Sequence, residues 1–341
     1  MRRITMASAA AGLASIACAL LATTSAALAT VTPPATVPPP AATPPAPATG
    51  APGSAVLALE HVGGSPPFAL LGERITVQGT VIPYVGGQTV TVTFYREGKK
   101  VELQSVAVVA LGTGAGRFQA SYRSAGPGLV EARAVHVASA QQVGFLARSP
   151  GVRFVNPNVG PGASGQSVRL LQSELDVLHF AVPLSGVFEE GTERALIAYR
   201  KLTGIERVGL AGRGVWKRLL EHAGTFHVRF PRDGRHVEAN LTSQVLAEIE
   251  PGGRVRTIYT VSSGKPSTPT VLGHFNVYSK TPGVNTEGMV DSNYFIRGYA
   301  IHGYPEVPVY AASHGCLRIP IPDAPAVFGW VQLGTPVDVY R

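Results

Sequence analysis

Ile301-His302-Gly303-Tyr304-Pro305-Glu306-Val307-Pro308-Val309-Tyr310-Ala311-Ala312-Ser313-His314-Gly315-Cys316-Leu317-Arg318 is the stretch from which the rest of the chain can be read. It sets two histidines, each followed by glycine, near a single cysteine. A thiol needs a base to become a nucleophile at neutral pH, and an imidazole is the usual one. The run Phe295 to His302 reads as one strand, with Ile296, Gly298, Ala300 and His302 on a common face. Gly303 and Pro305 end it, and ten residues then separate His302 from Ser313, enough for a loop that returns the chain beside the histidine. Beyond the loop, Cys316 and Arg318 point one way, Leu317 and Ile319 the other. A thiol, an imidazole and a guanidinium are thus expected on one groove.

The surrounding segment, 227–341, is β-rich. His236 to Leu241, Gln244 to Ile249, Val255 to Val261, Gly273 to Tyr278 and Thr335 to Tyr340 read as strands, with one helix between Pro322 and Val331 around Trp330. Parallel βαβ units would need crossover helices that are missing, so the expectation is a mostly antiparallel β domain with one helix.

Upstream, from 158 to 224, the period turns helical. Val168, Leu171, Leu175 and Leu178 recur at threes and fours, as do Ala195, Ala198, Tyr199 and Leu202, with Gly204 as a C-terminal stop. A third helix is expected from Arg213 to His222, burying Trp216 and Leu219. Val168-Arg169-Leu170-Leu171-Gln172, Gly186-Val187-Phe188, Thr192 and Ala195 to Tyr199 resemble the peptidoglycan-binding domain type 1 family, which implies a small three-helix bundle. A plain spacer of helices is the alternative.

Residues 54–155 instead alternate with period two at Ile75 to Val81, Thr89 to Tyr95, Arg117 to Tyr122 and Gly128 to Val137. Turns fall at Gly86-Gly87, Glu97-Gly98 and Pro127-Gly128. About seven strands in this span predict an immunoglobulin-like β-sandwich without the inter-sheet disulfide. Residues 30–53, rich in proline and alanine, read as an extended linker. Arg2, Arg3, the apolar run Met6 to Leu21 and Ala27-Leu28-Ala29 make 1–29 a signal peptide, so the protein is expected to be exported with no retained transmembrane helix. The whole is therefore predicted to be multidomain and mainly β.

Hydrophobic content of 45% against 15% charged residues rules out wholesale disorder. The formal charge of +8 falls to +6 once Arg2 and Arg3 leave with the signal, a bias toward anionic polymers that also aids solubility. Cys18 would leave with the signal too. Cys316 then stands alone, which removes any intrachain disulfide and favours a reactive thiol.

The pattern His302-Gly303 followed by Ser313-His314-Gly315-Cys316-Leu317-Arg318 resembles the L,D-transpeptidase (YkuD-type) catalytic domain family. Ser262-Ser263-Gly264-Lys265, Thr268-Pro269-Thr270 and Gly273 to Tyr278 support the likeness, which covers 227–341. It implies that Cys316 attacks the third residue of a peptidoglycan tetrapeptide stem and that His302 takes the thiol proton and returns it to the departing D-alanine. It further implies that the Gly303 carbonyl orients the imidazole and that N–H groups of His314, Gly315 and Cys316 form an oxyanion hole. Arg318 would hold a stem carboxylate, with loop bracing as its alternative. Ser313 is a substrate-binding candidate that would more simply order the loop, and Tyr294 and Phe295 resemble the family's aromatic substrate flap, with core packing as the alternative. An amine of a second stem resolves the thioester to a 3→3 cross-link, and carbapenems should acylate the cysteine.

Rival readings remain. His302, His314 and Cys316 could ligate zinc, but no HxxxH or CxxC spacing accompanies them, and no metal is expected there. No phosphate-cradling glycine loop precedes a helix, so no nucleotide cofactor is expected; no nucleic-acid partner is expected either. An L,D-carboxypeptidase using water as acceptor, or a non-catalytic wall-binding protein, are the other candidates.

Overall fold

A computed structural model describes residues 50–112 and 114–341, all within one compact unit. The expected signal peptide and all but the last four residues of the expected linker lie outside the described residues. Strands outweigh helices, at 43% against 15%, in line with a mainly β chain.

The first ten strands are β1 (Ser54–Glu60), β2 (Phe68–Leu70), β3 (Arg74–Ile82), β4 (Thr89–Arg96), β5 (Lys99–Ala107), β6 (Val109–Leu111), β7 (Ala115–Arg123), β8 (Gly128–His136), β9 (Phe145–Arg148) and β10 (Val152–Val155). One sheet runs β1-β3-β7-β6; the other runs β2-β10-β8-β4-β5, with β9 also on β8. Their inner faces share one apolar core, where the Phe94 ring stacks on Tyr122 at 5.0 Å. There are ten strands against about seven expected; β2, β6, β9 and β10 are three or four residues long, too short for alternation to register. β5 escapes for another reason. It is an edge strand exposed along nearly its whole length, opening on Lys99 and Lys100, and lysines on an edge deter pairing with another chain.

Three helices follow: α1 (Gln166–Val177), α2 (Glu190–Leu202) and α3 (Arg213–Leu220). α2 stops where Gly204 takes a φ of 67°, which lets the Ile205 N–H reach back to the Arg200 carbonyl at 3.1 Å. The third helix closes two residues before the expected His222. The apolar stripes do not meet only one another. Val168, Leu171, Leu196, Tyr199 and Trp216 share a continuous core with Phe68 and Leu70 on one side and with Val245, Ala247, Ile249 and Ile258 on the other. The boundary drawn at 224–227 is therefore crossed by the hydrophobic interior.

The remaining strands are β11 (His236–Asn240), β12 (Val245–Glu250), β13 (Arg254–Thr260), β14 (Gly273–Asn276), β15 (Ser279–Val284), β16 (Val290–Ile296), β17 (Tyr299–Tyr304), β18 (Leu317–Pro320) and β19 (Pro336–Tyr340), with helix α4 (Ala324–Trp330) before the last. They build a five-stranded sheet β13-β12-β11-β19-β14 and a four-stranded sheet β15-β16-β17-β18. Pairing is antiparallel except at β11–β19 and β17–β18. β12 shows why this segment reads as an unbroken apolar run: Val245, Ala247 and Ile249 face the helices, while Leu246 faces the second sheet and α4.

One expected strand does not exist as a unit. Phe295 to His302 straddles a hairpin: β16 ends at Ile296, Arg297 takes a φ of 51°, and β17 starts at Tyr299. Ile296 and Gly298 therefore do not share a strand face with His302. Two short strands joined by a two-residue turn and one longer strand carry the same apolar pattern, and only the partner strand decides between them.

Candidate active site

β17 and β18 lie side by side in parallel, with His302 opposite Arg318 and Ile301 opposite Leu317. Side chains alternate across a sheet. Ile301, Leu317 and Ile319 enter the core, so Ala300, His302 and Arg318 share the opposite face. Tyr294, the register partner of Ala300 on β16, joins that face. Cys316 stands two positions before Arg318, just ahead of β18. The flanking Phe295 is core, 3% exposed and packed with Phe275.

His302 is only 2% exposed. Its Nδ1 lies 2.9 Å from the carbonyl oxygen of Gly303. A carbonyl can only accept, so Nδ1 carries the proton and Nε2 keeps its lone pair. Burial holds the imidazole below its usual pKa; the Gly303 bond opposes this, and the charge of Arg318 adds to it. Tyr304 stands edge-on to the ring at 5.7 Å, and the Arg318 guanidinium lies 4.0 Å above the Tyr304 ring.

Cys316 is half-buried. Its Sγ contacts the Gly298 carbonyl at 3.9 Å, so the resting thiol leans on the β16–β17 turn. Burial raises its pKa, while the Ala300 backbone and the Arg318 charge lower it. Thiol and imidazole are thus both neutral near pH 7, an arrangement in which the base can remove the proton during attack rather than beforehand.

The turn before Cys316 is tightly held. The Ser313 hydroxyl donates to the Cys316 carbonyl at 2.6 Å and accepts the Gly315 N–H at 3.1 Å. In this structure that N–H is therefore engaged by Ser313, whereas the family resemblance implies it as one of three oxyanion donors. Gly315 adopts a φ of 120°, and a Cβ there would lie 2.5 Å from the Tyr299 ring. Only glycine fits both demands.

A second segment clamps the loop from behind. Ser262 exchanges backbone hydrogen bonds with Arg318 at 2.9 and 3.0 Å, and the Ser263 carbonyl accepts the N–H groups of Ala312 and Ser313. Ser263 is itself gripped by Gln244 through both ends of its amide. Lys265 donates from Nζ to Nε2 of the exposed His314 at 2.9 Å, so that ring faces the lysine rather than the thiol. Gln244 and Tyr299 had no legible signal in the sequence, because their partners Ser263 and Gly315 lie far along the chain, and Tyr304 gained its place from Arg318, fourteen residues on. A cleft of about 350 Å³, bordered by Tyr304, Pro305, Glu190 and Arg194, opens beside the end of β17.

Residues 234–339 match the YkuD family, the L,D-transpeptidase catalytic domain. An L,D-transpeptidase from Xylanimonas cellulosilytica DSM 15894 is 29% identical over 55% of this chain and 98% of that one, with a TM-score of 0.49. A mutant of the Enterococcus faecium L,D-transpeptidase is 28% identical over 31% and 50% of the two chains, with a TM-score of 0.28. An L,D-transpeptidase from Mycobacterium tuberculosis H37Rv is 12% identical over 83% and 97%, at a TM-score of 0.29. No curated protein matches the chain.

Proposed function

We propose that the chain is an exported cysteine L,D-transpeptidase that cross-links peptidoglycan stems. The observation that carries this is the bond from His302 Nδ1 to the Gly303 carbonyl, which leaves Nε2 free as a base, with Cys316 two positions before Arg318, the register partner of His302. Rotation of the Cys316 side chain away from Gly298 would bring the thiol toward that nitrogen; resting catalytic contacts commonly tighten only when substrate binds. Sγ then attacks the carbonyl of the third stem residue as Nε2 takes the thiol proton. The oxyanion is held by the N–H groups of His314 and Cys316. The carbon–nitrogen bond to D-alanine breaks, and His302 protonates the departing amine. An acceptor amine then gives its proton to His302, attacks the thioester and frees the thiol, leaving a 3→3 link.

Arg318, propped on Tyr304 and paired with no carboxylate among the described residues, suits a stem carboxylate. Tyr294 would line the stem's path. We assign the helical segment 158–224 to a peptidoglycan-binding-like module and 54–155 to an immunoglobulin-like spacer. Among the described residues, no helix is long and apolar enough to cross a membrane.

Incubating the purified protein with a disaccharide-tetrapeptide and resolving products by mass spectrometry tests the reading. A D-alanine-loss thioester on Cys316 and a 3→3 dimer are expected. A tripeptide without dimer would mean hydrolysis instead, and neither adduct nor D-alanine would leave only a wall-binding role. Carbapenems should acylate Cys316, and an adduct persisting in Cys316→Ala would refute the nucleophile.

A further inference from the structure

At the far edge of the five-stranded sheet, β14 and β19 set His274 and Asp338 opposite one another, and Asp233, on the turn before β11, comes alongside. The three offer one ligand atom each within 4.8 Å of one another. His274 Nδ1 is 2.6 Å from Asp338 Oδ1; the histidine side chain is 65% exposed, whereas that of Asp338 is 1% exposed. The second oxygen of Asp338, Oδ2, is buried and finds no hydrogen-bond partner among the described residues.

That orphan atom is the informative one. A buried carboxylate oxygen with no donor carries a desolvation cost that proteins rarely leave unmet. One carboxylate of the same sheet shows how the need is met from within the chain, whereas Glu248 Oε1 on β12 lacks a partner as Asp338 Oδ2 does. Glu238, the β11 neighbour of Asp338, takes the backbone N–H groups of Arg229 and Phe230, His236 Nε2 and the Tyr340 hydroxyl. Both of its oxygens are satisfied, and both nitrogens of His236 are used up, one on Glu238 and one on the Gly234 carbonyl. Asp338 has only His274, with a second carboxylate, Asp233, pressing on it.

We propose that Asp233, His274 and Asp338 form a divalent-cation site, separate from Cys316, that takes a metal of mixed nitrogen–oxygen preference such as Zn²⁺ or Mn²⁺. One imidazole and two carboxylates suit such ions and disfavour those that select thiolates. Ligand atoms around tetrahedral zinc stand about 3.3 Å apart. His274 and Asp233 are both exposed, and rotations of their side chains would have to bring their atoms to that spacing while Asp338 turns Oδ2 to the ion. The ion would tie the 231–235 turn to β14 and β19 and close the sheet edge. Water completes its coordination.

The test uses the untagged mature protein stripped with chelator and titrated with Zn²⁺ and Mn²⁺ by calorimetry, with melting followed in parallel and Co²⁺ as a spectroscopic probe. One equivalent should bind and raise the melting temperature. Asp338→Asn and His274→Gln should each weaken binding by at least about tenfold and lose the rise. His274 is exposed, so its variant keeps the test valid if the buried Asp338 variant misfolds. The cobalt spectrum should lack a thiolate charge-transfer band, and Cys316→Ala should bind as the parent does. Absence of stoichiometric binding, or binding insensitive to His274→Gln but lost in Cys316→Ala, would overturn the site.

Discussion

His302 and Arg318 face each other across the parallel β17–β18 pair, and the guanidinium acts on the imidazole through its charge while resting on Tyr304. The same charge favours the thiolate of Cys316. One residue therefore tunes both partners of the proposed dyad, in the direction that keeps the base neutral and the nucleophile acidic.

Arg318→Gln removes that charge, so the pKa of His302 and that of Cys316 should both rise. Carbapenem acylation followed against pH should show the acid limb, set by neutral His302, and the alkaline plateau, set by the thiolate, both displaced to higher pH. Limbs that stay in place while only substrate affinity falls would assign Arg318 to binding alone.

Ser313→Ala deletes the hydroxyl that joins the Gly315 N–H to the Cys316 carbonyl. An unpaired buried N–H costs about 1–3 kcal/mol. The acylation rate should fall about tenfold or more, with a small loss in melting temperature, because the turn that presents the thiol loosens.

Gly315→Ala meets a left-handed φ and the Tyr299 ring at once. The conformational strain alone is about 1–3 kcal/mol. Thiol labelling and acylation should both drop by about a hundredfold while far-ultraviolet circular dichroism stays native. Unchanged rates would show that the turn can relax without moving Cys316.

Lys201 of α2, 2% exposed, bonds Thr260 Oγ1 at 2.7 Å and the Val261 carbonyl at 2.8 Å, just ahead of the Ser262 clamp. Burial first, and Arg207 second, bring its pKa from 10.5 to about 7. Between those two values the unfolded chain binds the proton and the folded chain does not, so stability rises with pH across the window and the burial penalty is full below pH 7. The rise approaches about 1.4 kcal/mol per pH unit. In Lys201→Met this slope should vanish from denaturation curves recorded between neutral pH and pH 10; its survival would place the titrating group elsewhere.

Much of this molecule is written locally. The block Ser313 to Arg318 carries the proposed nucleophile, the turn and the glycine within six residues, so its reading needed no partner strand. The apolar stripes of α1 and α2 and the stop at Gly204 were legible for the same reason: each depends on contacts three or four residues away. The chemical class of the candidate centre and the mainly β character follow from the sequence. The tertiary structure decided what depends on residues distant along the chain. It split Phe295 to His302 into two strands, merged the helices with the face of β12, and brought Lys201 against Thr260 and Asp233 against His274 and Asp338. Each of these is set by which surfaces bury together, and a one-dimensional pattern records which residues are apolar without recording what they are buried against.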